Sequence, residues 1–344
     1  MYESGRLPLK NPRSLFHPSE LHVIIPYSNH LRYQSRHRLF IECVEHMLNS
    51  GVTLYVVELA HGHRPYVLQL PLGVHHIKLR TSDVMWHKEC QINVGLKHAV
   101  ANGARYLAWI DGDIQFANPY WATETIEALQ SFAVVQPWRH AIDLDHRRNV
   151  VADERNNLFA ESFCSVWQHQ LEAGYGYDLK IIKPEGSTHT TSRRTFGHFG
   201  YAWACTANAY REMGGLLDWV ITGAADYFMS LAFAGLLSSS VIDMDETAQP
   251  GYRRRLLEFQ ERCNRAVNCN ISYVSGTVLH GWHGQKIKRG YLTRPRILKV
   301  SKFDPDLDLI LDDQGLYRFA RENHSLRDGL LSYFSSREED QLSS

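Results

Sequence analysis

No apolar run in this 344-residue chain approaches the ~20 residues that a membrane-crossing helix needs, so the sequence offers no such span. Its six cysteines include no Cys-x-x-Cys pair, which argues against a disulfide framework and a structural zinc site. Net charge is also missing: Lys plus Arg and Asp plus Glu both number 37, so the whole-chain balance points to no partner. Residues 1–18 are polar and lack the apolar centre of a signal peptide. A cytoplasmic protein is therefore expected, in the host cytoplasm if the source is viral.

Charge is unevenly spread. Between Gly251 and Lys302 stand twelve lysines and arginines against Glu258 and Glu261, a net +10, whereas residues 303–344 carry a net −6. A basic stretch of this kind suits a polyanion or a diphosphate; two solvated faces of opposite sign suit it equally.

Short apolar runs alternate with longer amphipathic ones, the pattern of β-α-β units around a mostly parallel sheet. Strands are expected at 21–26, 53–59, 74–79, 105–110 and 132–136, with helices at 32–50, 88–101 and from Asn118-Pro119 to about 130. The second half is less regular. A helix is expected over 149–173, a long loop over 175–198, helices over 206–213 and 224–234, and a strand over 271–279 running into His280.

Three clusters carry chemistry. Asp111-Gly112-Asp113 ends an apolar strand, and carboxylates at i and i+2 share a face, as a Mg²⁺ or Mn²⁺ site requires. His280-Gly281-Trp282-His283-Gly284-Gln285-Lys286 follows another strand; its histidines can complete a carboxylate site, and Lys286 and Arg289 can neutralise a departing diphosphate. Asp226, after Gly223-Ala224-Ala225, is either a general base or a charge favoured by a helix N-terminus. Trp203 and Trp282 are each a sugar-stacking surface or a core residue.

In this order, these segments resemble the GT-A glycosyltransferases, chiefly their inverting polypeptide N-acetylgalactosaminyl- and β-galactosyltransferase branch. VIIPYSN (23–29) is similar to the family's first strand and nucleotide-contacting turn, which implies donor contacts at Pro26 and Tyr27. TLYVVE (53–58) ends in Glu58, matching an acid that often meets the base. WHKECQINVGLKHA (86–99) resembles the helix beside the donor, with Lys88 and Asn93 at matching positions. WIDGD matches the Asp-x-Asp motif, the segment ending at Asp226 matches the acceptor-side motif with its catalytic acid, and HGWHGQK matches the late metal-ligand histidine.

The resemblance implies a nucleotide-sugar donor, a Mn²⁺ or Mg²⁺ ion on Asp111, Asp113 and His280, and inversion at the anomeric carbon. Two departures stand out. Ala225 occupies a place that is often acidic, and two histidines compete for one ligand role; His280 is preferred for its strand exit, and His283 stays open. The expected layout is an extension (1–19), a Rossmann-like GT-A domain (20–300, its donor half 20–138 and acceptor half 139–300), a helical extension (301–334) and a disordered tail (335–344).

The 280–298 segment also resembles closing segments of bacteriophage glycosyltransferases, which puts hydroxymethylated DNA among the acceptors, beside glycans and proteins. Other readings are a nucleotidyltransferase and a non-catalytic carbohydrate- or nucleic-acid-binding module. The first needs a Gly-rich loop after the first strand, where PYSNHLRYQ has none; the second leaves two clusters without a use.

Overall fold

The alternation in LHVIIPYS decides the first layer. Along β1 (Leu21–Ser28), Val23 and Ile25 join one hydrophobic cluster and Ile24 joins another, because successive strand side chains point to opposite faces. A strand buried on both sides belongs inside a helix-covered sheet. A computed structural model, which describes residues 14–152, 158–172, 197–237, 249–291 and 293–341, places it there.

β1 pairs in parallel with β2 (Thr53–His61) and with β4 (Tyr106–Ile110), and β3 (His75–Thr81) extends the sheet beyond β2. On the other flank β9 (Ala202–Thr206) runs antiparallel between β4 and β6 (Val134–Gln136), and β10 (Ile271–Tyr273) lies parallel to β6 at the edge. The order is β10-β6-β9-β4-β1-β2-β3. Helices α1 (Gln34–Asn49) and α3 (Trp121–Ala128) cover one face through Phe40, Val44, Met47, Trp121 and Ile126. The other face is covered by α2 (Lys88–Ala101), α4 (Phe163–Glu172), α5 (Ala207–Met213), α6 (Ala225–Phe233) and α7 (Pro250–Ala266). This is the α/β class expected, with its mostly parallel sheet flanked by helices.

A smaller sheet stands beside the first. In it β11 (Thr277–His280) lies between β5 (Ile114–Phe116) and β7 (His140–Asp143), and β8 (Ala160–Glu161) pairs with β7. Beyond it come α8 (Pro295–Val300), α9 (Pro305–Asp308), a hairpin of β12 (Leu309–Leu311) and β13 (Tyr317–Phe319), and α10 (His324–Ser335).

Four expectations change. The single strand over 271–279 is two strands in different sheets: the chain breaks at Gly276, whose φ of 151° few other residues adopt. Among the described residues of the helix expected over 149–173, only Phe163–Glu172 are helical, and Ala160 and Glu161 pair with β7 instead; residues 153–157 and 173, and 175–196 of the expected loop, lie outside the described residues. The Arg-rich start of the basic stretch is an amphipathic helix, α7, which buries Tyr252, Leu256, Phe259 and Cys263 at helical spacing. The tail expected to be disordered is packed as far as it is described, with Arg337 and Glu339 buried, because Glu339 pairs with Arg36 and the Arg337 guanidinium lies over the Trp86 indole.

Close packing of α2 on the sheet generates a prediction. A Cβ on Gly95 would lie 2.6 Å from Ile24 Cγ2 and 3.0 Å from Val57 Cγ2. Gly95→Ala, which stabilises an exposed helix, should here cost about 1–3 kcal/mol by overpacking, read from urea unfolding. A stabilised variant would mean that α2 sits farther from β1.

Candidate active site

The carboxyl end of β4 delivers Asp111-Gly112-Asp113 into a cleft of about 210 Å³, which Pro26, Ser28 and Asn29 near the end of β1 also line. Open α/β sheets bind ligands at this edge. The backbone fixes the turn: Asp111 N–H donates to the Tyr201 carbonyl at 2.7 Å, and Gly281 N–H donates to the Asp113 carbonyl at 2.8 Å. Gly112 is the residue that fits, since a Cβ there would lie 2.7 Å from Phe40 Cδ2.

The two carboxylates take different partners. Asp111 pairs with Lys88 at the start of α2. Asp113 turns to the histidines, its Oδ2 3.0 Å from His283 Nε2 and 3.9 Å from His280 Nε2. Asp113, His280 and His283 can each point a ligand atom at one ion, these atoms lying within 4.8 Å of one another; Asp111 is not among them. Asp113 Oδ1 is buried without a hydrogen-bond partner, and a buried acceptor left bare is costly unless a cation takes it. These residues therefore fit a divalent ion. Imidazole beside carboxylate suits Mn²⁺ better than Mg²⁺, which keeps to oxygen.

The histidine ring is held from behind. His280 Nδ1 lies 2.7 Å from Asp143 Oδ1 at the end of β7, an arrangement that fixes the ring and leaves Nε2 facing Asp113. Tyr201, in a left-handed conformation (φ 75°), packs its ring 5.0 Å from the His280 ring. Burial pushes His280 below the ordinary imidazole value, only partly offset by Asp143 and Asp113. Burial also resists ionisation of Asp113, but the His283 hydrogen bond and the charges of His280, His283 and Arg289 outweigh it and hold the carboxyl below the usual range. Asp111 goes the other way: burial raises it despite Lys88.

Cations dominate the rest of the cleft, where Arg36, Arg289, Arg294 and Arg337 join Lys88. The Arg294 and Arg337 guanidiniums approach the Trp86 indole at 5.7 and 5.6 Å, and the Arg289 Nε is buried without a hydrogen-bond partner. Asp226, in the first turn of α6, lines the same cleft. Its Oδ1 accepts the Tyr227 N–H at 2.9 Å. Its Oδ2 faces Gly200, where a Cβ would come within 3.1 Å, so the glycine keeps that flank of the carboxylate free of a side chain.

Several expected site residues serve elsewhere. Glu58 is 2% exposed and accepts the Val67 and Leu68 N–H groups and a hydrogen bond with His76, tying down the segment after β2 rather than meeting a base. Asn93 bonds Leu216 and Asp218 inside the core. Tyr27 is buried beneath the cleft against Phe40, its hydroxyl on His37. Trp203 is a core residue, 2% exposed, its indole N–H on the Phe199 carbonyl, so it offers no surface to a sugar. Trp282 lines a separate hollow of about 60 Å³ beside His146, which also touches Asp113. The Lys286 side chain lies outside the described residues. Missed by sequence reasoning are Asp143, Arg36, Arg294, Arg337 and Glu339; only Asp143, ending a short apolar run, left a signal.

No model of a known protein family matches the chain, and no curated protein does. Among solved structures, the catalytic domain of Drosophila β1,4-galactosyltransferase 7 with xylobiose is 12% identical, with a TM-score of 0.36 over 88% of this chain and 94% of that one. A mutant of that enzyme with manganese, UDP-Gal and xylobiose is 12% identical, TM-score 0.31, over 61% of this chain and 59% of that one, so the match spans about three fifths of its length. The 4-diphosphocytidyl-2C-methyl-D-erythritol synthase of Anaerococcus prevotii is 10% identical, TM-score 0.32, over 75% and 88%. Likeness at this level assigns no family. Among the described residues, no helix is long and apolar enough to cross a membrane.

Glu89, next to Lys88, yields a pH prediction. Burial pushes its carboxyl up to about 8, with Lys88 opposing and Asp226 reinforcing, from an ordinary 4.5. The folded state then holds this proton longer than the unfolded one, so stability falls as pH rises from 4.5 to 8, and the full loss is present above that. Glu89→Gln should match wild type in urea unfolding below about pH 4.5 and exceed it at pH 8.5 by on the order of 1–3 kcal/mol. A difference that stays constant across that range would show that Glu89 is ionised in the folded protein.

Proposed function

We propose that the chain is a glycosyltransferase of the GT-A type that moves a sugar from a nucleoside-diphosphate donor to an acceptor hydroxyl. One observation carries this reading. A single cleft at the sheet's carboxyl edge joins the Asp113, His280 and His283 trio, a group of guanidiniums with Lys88, and a separate carboxylate, Asp226.

Asp113, His280 and His283 would hold a divalent ion, with Mn²⁺ the better match, and Asp111 would stand behind it on Lys88. When bound, that ion supplies positive charge to the donor diphosphate. Arg289 and Arg294 add fixed charge where negative charge grows on the departing nucleoside diphosphate, at no cost of reorganisation. Asp226 takes the proton of the acceptor hydroxyl as its oxygen attacks the anomeric carbon from the face opposite the leaving group, which inverts that carbon. Gly200 leaves room for the hydroxyl at Asp226 Oδ2.

The acceptor class rests on less. Three cations of the basic stretch are matched by the acidic one that follows it: Arg254 and Arg255 both pair with Asp306, and Lys288 pairs with Glu338. That pairing lowers the pull of these three residues on a DNA backbone, and a glycan, a protein or a hydroxymethylated base each stays an acceptor for this reading.

The test is release of nucleoside diphosphate from a panel of nucleotide-sugars, with Mn²⁺ and with EDTA. One donor should be turned over, and EDTA or Asp113→Asn should abolish turnover. Asp226→Asn should lower kcat by about 10²–10⁴-fold and leave donor affinity intact. Release from no donor, together with no nucleotide-dependent rise in Tm, would sink the reading; full turnover in Asp226→Asn would remove the base assignment alone.

A further inference from the structure

The acidic segment after α10 folds back over the metal trio, more than three hundred residues from the helix it meets. Asp340 accepts the N–H groups of Gln34 and Ser35 at 2.8 Å each, capping the open start of α1. Ser35 Oγ donates to the Glu339 carbonyl at 3.2 Å, and Glu338 N–H donates to the Tyr33 hydroxyl at 3.1 Å. Gly284, in the loop that carries His283, touches this segment so closely that a Cβ would lie 2.8 Å from Glu339 Cα. Glu339 therefore enters the interior at 1% exposure. Its carboxylate accepts Arg36 Nε at 3.0 Å, lies 2.7 Å from Arg337 Nε, and stands 3.7 Å from His283 Nδ1.

A pairing of roles emerges. Each histidine of the trio faces Asp113 with Nε2 and has a carboxylate at its Nδ1: Asp143 behind His280, Glu339 behind His283. The His283 Nδ1 is buried and has no hydrogen-bond partner inside 3.5 Å, so Glu339 is the acceptor placed to receive its proton. The same carboxylate holds Arg36 and Arg337, both of which line the cleft.

We propose that Glu339 is a positioning residue: it fixes the tautomer and orientation of His283 for a divalent cation, and it is delivered to the site by the segment 336–340. The inference rests on the metal reading of the Asp113, His280 and His283 trio. A carboxylate behind a ligating imidazole orients the ring and raises its basicity, and its loss costs metal affinity without removing a ligand.

The measurement is Mn²⁺ binding by electron paramagnetic resonance of the free ion, on the full chain without donor, paired with Tm. Glu339→Gln keeps the size of the side chain and removes its charge; Mn²⁺ affinity should fall about 10- to 100-fold. Glu339→Asp, which keeps the charge on a shorter stem, should fall between that and wild type. Asp340→Asn leaves Glu339 in place but loosens the segment's hold on α1; it should weaken Mn²⁺ as well if Glu339→Gln cannot be purified folded. A lower Tm in Glu339→Gln with unchanged Mn²⁺ affinity, while Asp113→Asn loses the ion, overturns the positioning role and leaves the metal site standing. Failure of wild type to bind Mn²⁺ overturns both, since His283 would then have no ion to face.

Discussion

Two carboxylates, two residues apart, are held in a cleft where water screens them poorly, and most of the architecture around them follows from that. Like charges this close resist joint ionisation unless each finds its own compensation. Gly112 sets the condition, because α1 packs Phe40 against it and fixes the turn. Asp111 is then answered by Lys88 from α2, and Asp113 by His280 and His283 from the segment after β11. Their opposite shifts, Asp111 above the ordinary value and Asp113 below it, express this division. The arrangement leaves one buried oxygen, Asp113 Oδ1, bare.

Bringing those answers to one place explains the odd features of the second half. Had 271–280 continued as one strand, His280 would lie along the edge of the main sheet, beyond β6. The break at Gly276 sends β11 into the small sheet instead, where His280 stands opposite Ile114 and beside Asp143 in register. The small sheet thus serves as a carrier that sets a histidine against the residue following the turn of β4. The C-terminal segment does comparable work from the other side, with Asp340 tying it to α1 and Glu339 entering beneath His283.

What the sequence disclosed divides along a physical line. The parallel half was legible because β1, β2 and β4 are apolar on both faces and the helices between them keep helical spacing. The turn carboxylates and both histidines stood out because they cluster within a few residues at strand ends. Arg36, Arg337 and Glu339 were not legible: each sits among ordinary surface residues, and only long-range packing turns it inward. Glu58 and Asn93 misled for the reverse reason. Their positions matched a pattern, yet each carboxylate or amide is consumed by backbone groups of a neighbouring loop. The α7 helix was hidden by its arginines, which read as a charge run although Tyr252, Leu256, Phe259 and Cys263 carry the helical period.

The charge balance of the cleft ties these parts to the proposed chemistry. Among its described lining residues, Lys88, Arg36, Arg289, Arg294 and Arg337 face Asp111, Asp113, Asp226 and Glu339, a surplus of one positive charge. Asp111 and Glu339 are spent on Lys88, Arg36 and Arg337, which leaves Arg289 and Arg294 against Asp113 and Asp226. A diphosphate entering this space would meet little net attraction from fixed side chains, and Asp113 would repel it. A divalent ion on the trio reverses the sign at that point, because it cancels Asp113 and adds a further positive charge where a phosphate oxygen would sit. On the proposed reading, the cleft therefore recognises the anion poorly until a cation is in place. The carboxylates behind the histidines belong to that design, since the ion's place has to be fixed before the anion's can be.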